Sequence, residues 1–323
     1  MHVANVIRTR RYALRLLATF AAASATTGCG KDSSGPEAFL SDRVNIAGDG
    51  YGAAIGVNSV AYITMPNTNT LARADLPSHT FAPVSSNGAT PTEVAFNSTG
   101  TRLYVTNQTS GTITVIDVAT NAVIDTIVVG YRPFELIVQP GDSILWTGKA
   151  DSLYGIRLAT KAIIARFQIG DIGNGLAIAR DTLLYVSTHS TGTVVEINLK
   201  TRAQGRTFNV GGVPQKLVTS PTGNELYIAN EAGYVQFWNL NTGTQIGDNI
   251  PLPAAAYGLA LRPTTGMLYV TTFYAGGGIH VIDPARHAVI DGLITGGDTR
   301  HVVFGTDGVG FVPNGYGWVD FIK

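Results

Sequence analysis

One four-residue word, returning at a near-constant distance, constrains this chain more than anything else in it. The position held by Tyr104 is matched at Tyr62, Leu145, Tyr185, Tyr227, Tyr269 and Phe311, at intervals of 40 to 42 residues. The words around these anchors are AYIT, LYVT, ILWT, LYVS, LYIA, LYVT and GFVP. A fixed period of this length marks a repeat architecture. Each copy is then one supersecondary unit that cannot bury its apolar surface alone.

The copy around Tyr104 shows what the unit is. Short runs rich in β-branched residues lie at 93–96, 103–106, 112–118 and 123–129. Turn residues separate them, including Asn97, Gly100, Gly111 and Asn121. Four short strands joined by tight turns follow from that pattern. Four strands per copy and seven copies predict an all-β, seven-bladed β-propeller. With strands labelled A (innermost) to D (outermost), the blades fall at 52–88, 92–130, 133–170, 174–211, 214–252 and 256–296. The last blade has strands at 300–304, 309–313 and 316–322, and there the chain stops. It lacks a D strand, and residues 39–47 have no other place. The N-terminal strand is therefore expected to complete the last blade, removing the open edge of an unclosed ring. The chain would then enter the ring on the face of the A–B and C–D turns.

The word Tyr104-Val105-Thr106-Asn107 and its TITVIDVATN continuation resemble the YVTN-family β-propeller repeat. The resemblance covers about 39–323. It implies the same seven-bladed fold, with binding on the face that carries the D–A and B–C loops. It does not imply one activity, because such propellers host several.

Composition agrees with stacked blades. Charged residues make up 14% of the chain, against about 25% in typical domains. Blades packed face to face leave little surface for charge. The formal net charge is zero, with Lys and Arg scattered. Nucleic-acid binding is disfavoured, since phosphate contacts need clustered cations.

Residues 1–29 read as a leader. Arg8, Arg10, Arg11 and Arg15 precede an apolar run at 16–25, too short to span a bilayer. The run ends at Thr26-Thr27-Gly28-Cys29, and Cys29 is the only cysteine. This resembles a bacterial lipobox. Cys29 would be lipidated, 30–38 would be a flexible tether of at most about 30 Å, and 39–323 would be the propeller. Such a protein sits in the cell envelope, facing the periplasm or the exterior. An ordinary cleaved leader is the alternative, and the segment at Arg10-Arg11 leaves Sec and twin-arginine export both open.

Aligning the start of strand A across blades exposes where the copies differ. The first position holds Tyr51, Thr92, Phe134, Asn174, Gln215, Tyr257 and Arg300; the second holds Gly52, Glu93, Glu135, Gly175, Lys216, Gly258 and His301. These positions should ring the channel mouth. Glu93, Glu135, Lys216, Tyr257, Arg300 and His301 are the candidate ligand-binding set, suited to a polar or zwitterionic ligand. A solvated rim of scattered charge is the plainer alternative. Phe273 and Tyr274, beside Gly276 to Gly278, suggest an exposed partner-binding B–C loop. His79 and His287 fall in C–D turns. Asp75, Asp117 and Asp283 share their position with Asn198 and Asn239, which marks them as turn-formers rather than bases.

No metal-ligand set, cofactor motif or nucleophile elbow is evident. The expected role is a monomeric, non-enzymatic envelope scaffold with a protein, glycan or small-ligand partner. The alternatives are a lactonase-like or sugar-ester hydrolase using Glu93 or Glu135 as base with Arg300 or His301 binding the anion, and a redox or metal propeller.

Overall fold

The computed structural model describes residues 40–57, 59–274 and 277–323. The expected leader, Cys29, the tether and Phe39 lie outside the described residues. Seven antiparallel sheets follow one another around a ring, and the inner strand of each touches the inner strands of both neighbours. The second blade runs Pro91–Phe96, Arg102–Asn107, Thr112–Asp117 and Val123–Val128, from the axis outward. The chain is a seven-bladed β-propeller.

What holds the ring is burial between blades. Seven apolar clusters are found among the described residues, and each spans one blade–blade junction. Tyr185 and Phe208 of the fourth blade, for example, pack with Leu226, Ile228 and Trp238 of the fifth. All seven repeat anchors, from Tyr62 to Phe311, are buried. A polar thread runs beside this packing. The Thr64 hydroxyl donates to Thr92 O (2.8 Å), Thr106 to Phe134 O (2.7 Å) and Ser187 to Gln215 O (2.6 Å). In these three blades the residue two after the repeat anchor therefore ties the second strand to the next blade's inner strand.

Where an Asn stands three residues after the anchor, it pins the incoming crossover. Asn230 Nδ2 donates to Gly211 O (3.0 Å), and its Oδ1 accepts from the Val213 amide (2.8 Å). Asn314 does the same with Gly296 O (2.7 Å) and the Asp298 amide (3.1 Å). Any Cβ at Gly212 or Gly297 would lie 2.3 Å from the Asn Oδ1, and both glycines have positive φ. Only glycine fits so close an approach in that conformation.

The C–D turns explain the other repeated letters. Their fourth residue adopts the left-handed conformation at His79, Asn121, Lys161, Arg202, Gly243 and His287. Asp75, Asp117, Asn198, Asn239 and Asp283 each accept the backbone N–H three residues on. Asp and Asn serve equally because the interaction needs only an acceptor oxygen.

The ring closes with chain ends from both termini. Leu40–Asn45 pairs antiparallel with Trp318–Ile322, with Leu40 opposite Ile322 and Asn45 opposite Trp318. Leu40 thus lies on the face of the C–D turns, as the strand count requires. Arg43 clamps the junction. Its Nε donates to Asp320 Oδ1 (2.5 Å) and its Nη2 to Asp320 Oδ2 (2.9 Å), while the guanidinium lies 4.7 Å from the Trp318 ring centroid.

Three expectations need correction. The D strand of the fifth blade is broken into Thr244–Gln245 and Ile250–Pro251, because the Gly247 turn bulges out between them. Strand A of the last blade is only Val303–Phe304. Arg300 and His301 precede it as irregular backbone, anchored by a single bridge from Thr299 to Asn314. Phe273 is not exposed: it ends strand Leu268–Phe273 and is 1% accessible.

Asp320 is fully buried, so its clamp should matter to closure. Arg43→Met is expected to cost about 2–4 kcal/mol, because it strands a buried carboxylate. Thermal unfolding measures the loss; an unchanged midpoint would show that closure does not depend on the clamp.

Candidate functional site

The inner strands build the site as two stacked layers at the end of the channel that carries the D–A and B–C loops. The upper layer lines a pocket of about 300 Å³. Tyr51, Phe134, Asn174, Gln215, Tyr257 and Arg300 form its inner wall, all from the first aligned position. Gln108, Ala150, His189 and Glu231 join them from the B–C loops, and Arg132 and Ile172 from the D–A loops. Tyr51 and Tyr257 meet hydroxyl to hydroxyl at 2.7 Å, and Asn174 Nδ2 donates to Gln215 Oε1 at 2.9 Å. Burial raises both tyrosine pKa values well above the ordinary phenol range, so both stay protonated.

Arg300 is held rigidly. Its guanidinium lies 4.7 Å from the Phe273 ring centroid, 5.3 Å from Tyr257 and 5.5 Å from Tyr51. Its Nε donates to Asp298 Oδ2 at 3.1 Å. Phe273 therefore contributes as the buried support of an arginine, whereas Tyr274 beside it is 69% exposed.

The lower layer comes from the second aligned position. Glu93, Glu135, Lys216 and His301 are 3%, 9%, 8% and 6% accessible. They are not splayed around an open rim; they converge beneath the pocket. Glycines hold the other three positions for a steric reason. A Cβ at Gly52 would lie 2.1 Å from Thr92 O, at Gly175 2.3 Å from Gln215 O, and at Gly258 2.5 Å from Arg300 O. The inner strands come too close there for any side chain, and only four side chains reach the axis.

Those four form one charge network. Lys216 Nζ donates to Glu93 Oε1 at 2.8 Å and to Glu135 Oε2. His301 Nε2 lies 3.1 Å from Glu93 Oε1, off the alignment of a hydrogen bond. Burial pushes the Glu93 carboxyl up, but His301 and Lys216 outweigh it and hold the pKa at about 2. Burial and the Glu93 charge push Glu135 to about 8. Burial also lowers His301, so near neutral pH the imidazole is uncharged and Lys216 is the cation that keeps Glu93 ionised. One ammonium thus serves one carboxylate and one carboxylic acid. Opposite charge repays desolvation only when geometry and hydrogen bonding are good, and here a single lysine reaches both partners.

The six candidate residues therefore separate by depth. Tyr257 and Arg300 line the pocket; Glu93, Glu135, Lys216 and His301 lie under it. The sequence reading missed Gln108, Arg132 and Glu231. A signal for two of them existed: Gln108 and Glu231, like His189, directly follow the strand-B word. Among the described residues no group of three or more His, Cys, Asp or Glu is placed to hold a metal ion.

Removing the shared cation tests the lower layer. Lys216→Met is expected to destabilise by about 3–5 kcal/mol at neutral pH, by leaving the buried Glu93 carboxylate without its cation and Glu135 without its donor. The loss should shrink toward pH 5 as Glu93 protonates, measured by denaturant unfolding across pH. Glu135→Gln tests the raised carboxyl. The stability that neutral Glu135 contributes is complete below its unfolded value, about 4.3, and is lost as pH rises through about 8. Between pH 5 and 9 the Gln variant should therefore gain on the parent. Parallel curves would contradict a proton held on Glu135.

No family model matches the chain, and no curated protein sequence matches it. Solved structures do. A chain of a mitotic checkpoint complex superposes with TM-score 0.79 over 97% of this chain and 99% of its own, at 13% identity. A chain of Kuenenia stuttgartiensis hydrazine synthase superposes with TM-score 0.74 over 90% and 97%, at 16% identity. Likeness at such low identity shows the shared propeller fold alone.

Proposed function

We propose that this chain is a non-enzymatic binding propeller of the bacterial cell envelope, anchored through a lipid on Cys29, that takes its ligand at the channel mouth on the face of the D–A and B–C loops. One observation carries this: a pre-formed polar and aromatic pocket of about 300 Å³ sits above charged groups that are already satisfied by one another. Binding sites are commonly concave and largely pre-formed, with few convergent polar groups. The YVTN-like repeat words agree with a binding scaffold, and the leader ending in Gly28-Cys29 supports export and lipidation. Leu40 lies on the face opposite the pocket, so a tether from Cys29 would leave the pocket pointing away from the membrane.

A hydrolase of the lactone or sugar-ester type is the second reading, favoured by the shielded, proton-holding Glu135. Against it, Lys216 occupies both carboxylates, and neither they nor His301 line the pocket. A general base must come within hydrogen-bond reach of the proton it removes.

Cross-linking in the native envelope followed by pull-down, with ester and lactone turnover assayed on the same preparation, separates the two. The binding role expects a captured partner or ligand and no turnover. Turnover that Glu135→Gln abolishes would overturn it. Cys29→Ser is expected to move the protein from the membrane fraction to the soluble fraction; retention on membranes would remove the lipid anchor.

A further inference from the structure

Two opposite charges face the channel-mouth pocket without meeting. Arg300 and Glu231 both line it, yet they make no ion pair with each other. Each is instead held by its own neighbours. Asp298 takes the Arg300 Nε, three aromatic rings flank the guanidinium, and its two terminal nitrogens make no hydrogen bond among the described residues. Gln215 Nε2 donates to Glu231 Oε1 at 2.5 Å, and among the described residues Glu231 Oε2 accepts no hydrogen bond. Arg300 therefore offers an immobilised two-pronged donor, and Glu231 offers a free acceptor oxygen, at one cavity.

Resting on the binding role proposed above, we infer that this pocket receives a small zwitterion of the amino-acid type, its carboxylate on the Arg300 fork and its ammonium toward Glu231. The planar guanidinium matches a carboxylate with two parallel hydrogen bonds, and holding it in advance removes the ordering cost of a mobile arginine. A neutral sugar would leave the two terminal Arg300 nitrogens and Glu231 Oε2 desolvated without a charged partner, which is costly. A phosphate dianion would be attracted by Arg300 but repelled by Glu231, and by ionised Glu93 in the layer below. The aromatic walls of Tyr51, Phe134 and Tyr257 suit the apolar part of a side chain, and a lone ammonium near their ring faces gains further attraction. A volume of about 300 Å³ lies at the small end of ligand pockets; it accommodates one amino acid and not an extended peptide.

Isothermal titration of the purified propeller tests this directly. The probes are the twenty common amino acids at about 1 mM, then the des-amino and des-carboxy analogues of the best binder. At least one amino acid should bind, with each analogue weaker by about tenfold or more, the loss of one charge-assisted contact. In Arg300→Met the amino acid and its des-carboxy analogue should bind alike. In Glu231→Gln the amino acid and its des-amino analogue should bind alike. Glu231 lies at the pocket edge, so that variant keeps the test decisive if Arg300→Met unfolds. Amino-acid binding indifferent to both variants would overturn the site. Failure of all twenty, with a sugar or protein captured on the same face, would overturn the zwitterion and leave the binding role standing. Failure of every ligand and partner together with ester turnover would overturn both.

Discussion

Burial between neighbouring blades is the constraint on which everything else depends. A four-stranded blade has two apolar faces and cannot hide either by itself, so each blade needs a neighbour on both sides. Seven clusters, one per junction, satisfy that requirement only if the ring closes. The cluster joining first and last blades sets Ala61 and Ile63 against Phe311 and Phe321. The N-terminal strand carries Val44 to the edge of the same cluster. Closure is thus packing first and hydrogen bonding second. The Arg43–Asp320 pair fixes the register of a strand whose apolar contacts are few.

The same closeness shapes the channel. Inner strands approach until glycine is the only residue that fits at three of the seven second-layer positions. The remaining four point charged side chains at one another in a space with little water. Two carboxylates cannot both stay ionised there with a single cation, so the network resolves into one ion pair and one held proton. Lys216 fills the place between the carboxylates that a bound cation would otherwise take. The layer gives the channel a charged floor that is internally balanced, and the upper layer lines the pocket above it.

That upper layer is built differently. Its polar groups are oriented by neighbours but not consumed by them: Arg300 by aromatic rings and Asp298, Glu231 by Gln215, Asn174 by Gln215. Below the charged layer, at the other end of the axis, Ile137, Val138, Ala177, Ile178 and Val218 line a second recess together with Asp181 and Thr219. The N-terminal strand begins on the opposite face, at Leu40.

The sequence by itself determined the repeat, the number of blades, the closing strand and the jobs of the repeated letters. These are local or periodic properties, and period survives in a one-dimensional string. Asp117 and His79 could be understood by comparing copies, because most blades repeat the same C–D turn. It also brought Glu93, Glu135, Lys216 and His301 to one ring, since alignment gives height along the axis. Tertiary structure alone decided how far each side chain stands from the axis and from water. Depth depends on ring diameter and on side-chain direction, and neither is written in the spacing. The buried position of Phe273 and the pocket role of Glu231 are of this kind. Each is set by what a different blade places beside it, and charges from distant copies meet only when the ring is closed.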